Sequence, residues 1–231
     1  MDRIERAICK KLEPLLKQHG FVLVKERGGF VRAQPYGSDD MLCVNMGTSA
    51  IGERHFFIGI HFAIRHDRIE VPWNTLGLVY GEDNQRMTPT LVFGFPRPRN
   101  LPTLKIFPGS FDEDVAAVAA EGQSLFLTKG LPFFAEYSDL VAVEALANRR
   151  PLADLDPYTV GGPMEHRAMR SLLLAKAVNQ GVYAAVREAF VRLDKGMFPR
   201  EQRLAMLAKV DAMTLPLAKP GAGDEVQNPN P

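Results

Sequence analysis

Residues 55–65 read HFFIGIHFAIR, eleven aromatic, β-branched, small and basic residues without a proline. Such a composition is that of a strand, and a strand this long needs partners on both sides. Alternation divides it into two faces. Phe56, Ile58, Ile60, Phe62 and Ile64 form a wholly apolar face that belongs on a core. His55, Phe57, Gly59, His61, Ala63 and Arg65 form a mixed face, solvated in part or covered by later segments.

The preceding residues supply the partners. Ile4, Ile8, Leu12, Leu15 and Leu16 recur at helical spacing between charged residues, predicting a helix over 3–18 with Pro14 near its end. Gly20 suits the left-handed residue that closes it, and His19 sits beside the last carbonyls. Phe21–Arg27 and Phe30–Gln34 flank Gly28-Gly29, a hairpin signal. PYGSDD at 35–40 reads as a second turn that contains Asp39 and Asp40, and Met41–Thr48 as the third strand. Short turns make neighbours antiparallel, so a meander is expected. Ile69–Trp73, Thr90–Phe95 and Leu104–Phe107 read as further short strands, with a polar loop over 82–88 and a stiff connector over 96–102.

From Ser110 the period becomes helical. Ser110 with Glu113 suggests a capping box, Gly130 a helix stop and Pro132 a new start. Residues 148–163 read as a loop, and three helices follow at about 164–179, 182–194 and 200–212, separated by Gly181 and Gly196. The expected class is α+β: an N-terminal helix on a twisted antiparallel sheet, then a helical portion. The expected divisions are 1–109, 110–213 with a hairpin unit from about 164, and a disordered tail over 214–231.

Charge narrows the partners. Twenty-eight basic residues against 27 acidic ones leave a net charge of +1, too little for a global field that gathers nucleic acid or an anionic membrane. Two cysteines, no leader-like N-terminus and no run of roughly 20 apolar residues point to the cytoplasm.

Motifs add little chemistry. His55 and His61 share a face but lie six residues apart, about 20 Å along a strand, too far to share a metal ion. Cys43 reads as an inert buried thiol; as a nucleophile it needs a histidine brought up by the neighbouring strand. Cys9, on a helix flank, reads as inert too. No P-loop, dinucleotide or nucleophile-elbow motif occurs. No catalytic residue, cofactor or metal is assigned. Trp73 either closes an edge of the core or, with Tyr80, anchors a partner, and Arg65 and His61 on the mixed face join them as candidate contacts. Arg97 and Arg99 among prolines belong to the connector.

The order helix, LEPLLKQHGF, strand, GGFVRAQP, then a strand ending VNMGTS resembles a group of uncharacterised bacterial domains of unknown function. Leu12, Leu15, Leu16, Gly20, Phe21, Phe30 and Arg32 carry the likeness, over roughly residues 1–140. The resemblance implies an α+β domain of a kind proposed to act as immunity proteins in bacterial toxin systems. The leading expectation is therefore a non-enzymatic protein-binding protein, an immunity-type inhibitor being one version. Two alternatives stand beside it: an enzyme whose pocket gathers His55, His61, Arg65, Arg32 and Asn45, and a scaffold built on the C-terminal helices.

Overall fold

A computed structural model describes residues 2–25, 28–34, 37–48, 56–78, 81, 85, 88–94, 104–107, 110–149, 158–160, 164–192 and 198–215. His55, Tyr80, Arg97, Arg99 and residues 216–231 of the expected tail lie outside these residues, whereas Leu215, within that expected tail, packs against the core.

Helix α1, Arg3–Gln18, opens on a capping box that the sequence spells as Asp2 and Glu5. The Asp2 carboxylate accepts the Glu5 N–H at 2.8 Å, and the Glu5 carboxylate accepts the Asp2 N–H at 2.9 Å. Its apolar stripe (Ile4, Ile8, Cys9, Leu12, Leu16) is buried, and Gly20 follows with φ 81°. The His19 ring lies edge-on against Phe126, 5.3 Å between centroids.

Strands β1 (Val22–Val24), β2 (Gly29–Gln34), β3 (Ser38–Thr48), β4 (Phe56–His66) and β5 (Leu91–Gly94) form the expected antiparallel meander. Two short strands extend it. β6, Leu104–Ile106, pairs with β4 beyond the reach of β5, and β7, Tyr158–Val160, pairs with β5. The sheet is antiparallel throughout, and the protein is α+β.

Several expectations need correction. Only Gly28 of the glycine pair has positive φ, at 63°. Gly29 is already in β2, where a Cβ would stand 2.1 Å from the Leu42 carbonyl oxygen, so its missing side chain serves close approach. Asp39 and Asp40 lie in β3 rather than a turn, paired with Ala33 and Arg32. Ile69–Trp73 is helical, within α2 (Asp67–Asn74), because Ile69 and Trp73 stand one turn apart and bury the same face. Tyr158–Val160, expected in a loop, is β7.

Helix α3, Phe111–Leu125, has no side-chain cap from Ser110. Asp114 replaces the expected box, accepting the Ser110 hydroxyl and the Phe107 N–H, each at 2.7 Å. Gly130 does not stop a helix. A π-helical turn, Phe126–Gly130, carries the chain from α3 into α4, Leu131–Tyr137. A Cβ on Gly130 would meet the Phe62 ring at 2.9 Å, so glycine here lets the turn lie on the sheet. Helix α5 covers Leu140–Arg149, α6 Met164–Val178, α7 Gln180–Val191 and α8 Arg200–Ala212. Gly181 lies inside α7, and Asn179 makes the break.

One face of the sheet carries the core. Ile58, Ile60, Phe62 and Ile64 of β4 are buried with Leu42 and Val44 of β3 and Phe30 of β2. Phe133 and Phe134 of α4 reach Phe93 and Phe62, with ring centroids 5.8 and 5.9 Å apart. The buried apolar cluster runs on from Ile4 to Val210, and residues 168–175 of α6 are all buried.

Candidate functional site

Strand register decides which polar side chains meet. On β4 the core-facing residues have even numbers, so His61 and Arg65 face the other way. β3 alternates likewise, with Leu42 and Val44 inward and Cys43 outward. Cys43 and His61 are direct partners across the β3–β4 ladder, both partly exposed. Directly opposed residues hold their Cβ atoms about 4.5–5.5 Å apart. The rung continues into glycine on each side: Gly29 pairs with Cys43 and Gly94 with His61. Along β4, a Cβ on Gly59 would lie 3.0 Å from His61 Nε2, so the ring occupies the room that glycine leaves. Burial holds the His61 imidazole below its usual pKa, which favours the neutral, proton-accepting form.

The other cysteine contrasts with this one. Cys9 is wholly buried, and burial, with Glu5 as the next cause, pushes its thiol up to about 12. It stays protonated and shielded.

Arg65, on the same face as His61, is tied down. It donates to Asp67 Oδ1 at 2.7 Å, to the Gln85 carbonyl at 2.8 Å, and to the Thr88 hydroxyl and carbonyl at 2.7 and 3.0 Å. Its guanidinium serves loop anchoring. Trp73 is 1% exposed, which replaces the exposed-anchor reading with the core one. Its ring packs under Arg170, whose guanidinium carbon is 3.8 Å from a ring centroid. Arg170 in turn grips Glu70 through Nε–Oε1 and Nη2–Oε2 bonds of 2.8 and 2.9 Å, and Thr90 adds a third donor at 3.0 Å. This buried pair fastens α6 to α2.

A second buried carboxylate lies on the core side of the sheet. Asp40 Oδ2 accepts Arg32 Nε at 3.0 Å, Arg32 Nη2 at 2.6 Å and Gln34 Nε2 at 2.5 Å, while its Oδ1, also buried, has no hydrogen-bond partner among the described residues. Burial raises the Asp40 pKa, against the lowering effect of Arg32 and Gln34. The Arg32 guanidinium rests over Phe21 and donates to the His19 carbonyl at 3.3 Å, so the cluster also closes the end of α1.

The residues expected to converge are therefore divided. Arg32 lies on the core side, His61 and Arg65 on the other, and Asn45 pairs through its backbone with Gly59. Sequence reasoning passed over Cys43 and His61 as a pair because eighteen positions separate them and only the β3–β4 register joins them. Among the described residues there is no group of three or more His, Cys, Asp or Glu placed to hold a metal ion, and no helix long and apolar enough to cross a membrane. No protein family, curated protein or solved structure matches the chain.

Proposed function

We propose that the protein works by binding another protein, with an immunity-type inhibitor of a bacterial toxin as its most concrete form, in the cytoplasm. The observation that supports this reading is the free side of β1. It ends the sheet, no strand among the described residues pairs with its outer edge, and its Val22 is 67% exposed. An open edge offers backbone donors and acceptors to an incoming extended segment, with apolar side chains beside them for selectivity. The recognition would rest on the ladder and on Val22 rather than on Trp73 or Arg65, whose side chains are spent inside the protein.

The test is affinity capture from native lysate, run in parallel with Val22→Lys. A stoichiometric protein partner that the lysine variant loses supports the reading, and a growth-arresting partner sharpens it to immunity. A solitary protein, or a partner held equally by the variant, overturns it.

A further inference from the structure

We propose that the exposed face of α1 is a second contact surface, for an acidic segment of a protein partner. It deepens the protein-binding reading and rests on it, but it does not use the β1 edge, so either surface can fail without the other. The face follows from the helix itself. Ile4, Ile8, Leu12 and Leu16 bury one stripe of α1 in the core. Opposite them, Arg3, Arg6, Lys10, Glu13 and Lys17 recur at intervals of three and four residues, the spacing of a single helical face, and all are exposed. Lys11, exposed too, lies on the flank of that face.

The lysines have no partner inside the molecule. Arg3 rests over Phe111 at 5.3 Å, and Arg6 Nε donates to the Asp2 carbonyl at 3.1 Å. Lys10, Lys11 and Lys17 form no ion pair with a described residue, and neither does Glu13 between them. The capping box and the buried stripe hold these charges on a rigid element. Other acids stand mostly at one end. Asp112 and Glu113 are exposed beside the Phe111 that Arg3 covers. Half-buried Glu121 lies two residues from Gln123, whose amide donates to the Lys11 carbonyl at 3.1 Å. At the far end His19 touches Phe126 of the π turn, which carries exposed Lys129.

α1 has no aromatic residue to stack on a base, and its apolar stripe faces the core rather than a bilayer. Glu13 sharpens the choice. A phosphate backbone brings negative charge at every step and is repelled there, whereas a protein can set a basic side chain opposite it. Complementary charge of this kind speeds encounter and rejects wrong partners.

The experiment titrates the full chain with a fluorescein-labelled helical peptide whose glutamates and single lysine complement Arg6, Lys10, Glu13 and Lys17. A peptide of the same composition with its lysine out of register, and an RNA duplex, are titrated alongside. The in-register peptide should bind, and lose its hold as the Debye length shrinks from about 30 Å at 0.01 M salt to about 3 Å at 1 M. Lys10→Glu with Lys17→Glu should weaken it about 10-fold, the scale of a few exposed ion pairs together. Arg200→Glu with Lys209→Glu, an equal change of net charge on exposed positions of α8, should leave it unchanged. Glu13→Lys should erase the preference for the in-register peptide, since lysine then faces lysine. Val22→Lys should bind the peptide as wild type does, so failure of the β1 edge is read separately. Circular dichroism checks that each variant is folded. Absence of peptide binding, equal binding of the two peptides, or equal loss in the two double variants overturns the proposal. Tighter binding of the RNA duplex also overturns it and assigns the face to phosphate.

Discussion

The two sides of the sheet treat polar groups differently. On the helical side, buried charge is consumed by structure: Glu70 has both oxygens bound by Arg170, and Arg32 is pinned by Asp40 and His19. On the other side Arg65 is held by Asp67, Gln85 and Thr88, while Cys43 and His61 are partners across the β3–β4 ladder and keep partial exposure, with Gly29 and Gly94 on the same rung. The contrast separates buried positions from partly exposed ones. Substitutions on the helical side should cost folding free energy, whereas substitutions at the outer rung should leave the fold in place.

Arg170→Met should produce the largest loss. It strands the Glu70 carboxylate in an interior where neither partner is more than 2% exposed, and breaking such a pair costs about 3–5 kcal/mol. It also removes the cation above Trp73. Urea denaturation followed by tryptophan fluorescence reads both, since Trp73 is the only tryptophan. Adding Glu70→Leu should recover much of the loss, because two apolar side chains leave no charge uncompensated. If the double variant is no better than the single one, packing rather than charge holds α6 to α2.

Gly130→Ala comes next, at about 1–3 kcal/mol, the range for overpacking a core. The added methyl would press on the Phe62 ring, which is fully buried and has Phe93 and Phe134 against it. Thermal melting checks the size. A neutral result would mean that the π turn at Phe126–Gly130 shifts to make room.

How much of this was readable beforehand depended on how local the cause was. α1 and the meander of β1 to β4 followed from periodicity and short turns, because neighbouring residues set both. The strand at 69–73 was misread because β-branched residues beside Pro72 suggest an edge, while the turn-spaced pair Ile69 and Trp73 only declares itself once a core lies beneath it. β7 pairs with a strand more than sixty residues earlier, and three residues carry no periodicity. The site was less legible still. Cys43 and His61 were each visible, and the condition for joining them was clear, but register is set by β3–β4 pairing along eleven rungs and no local feature encodes it. Gly130 and Gly29 looked like punctuation, and both turned out to be places of close packing.

Asp40→Asn tests the helical side through pH. The folded-state pKa of Asp40 is raised, chiefly by burial, so the folded protein holds that proton more tightly than the unfolded chain. The resulting stability is fully present below the ordinary carboxylate pKa and is lost as pH rises through the raised value. Wild type should therefore gain on Asp40→Asn as pH falls through the acidic range, with the gap closing toward neutrality. Chemical denaturation at several pH values decides it. A gap that shrinks on acidification would mean that the Arg32 and Gln34 hydrogen bonds outweigh the cost of burial.

The smallest stability effect belongs to Val22→Lys. Val22 projects into solvent from a three-residue edge strand, and exposed substitutions of this kind stay within about 0.5 kcal/mol. A lysine there also guards the edge, since a charged side chain opposes the approach of another strand. The melting temperature should hardly move while partner retention falls, and that combination assigns the loss to the interface. If stability falls with binding, β1 is a structural strand whose outer side chain already packs against the protein, and the open-edge reading fails with it. The same variant should leave alkylation of Cys43 unchanged, because Val22 lies opposite Val31, two residues along β2 from the rung that carries the thiol. A changed rate would show that the edge and the rung act as one surface.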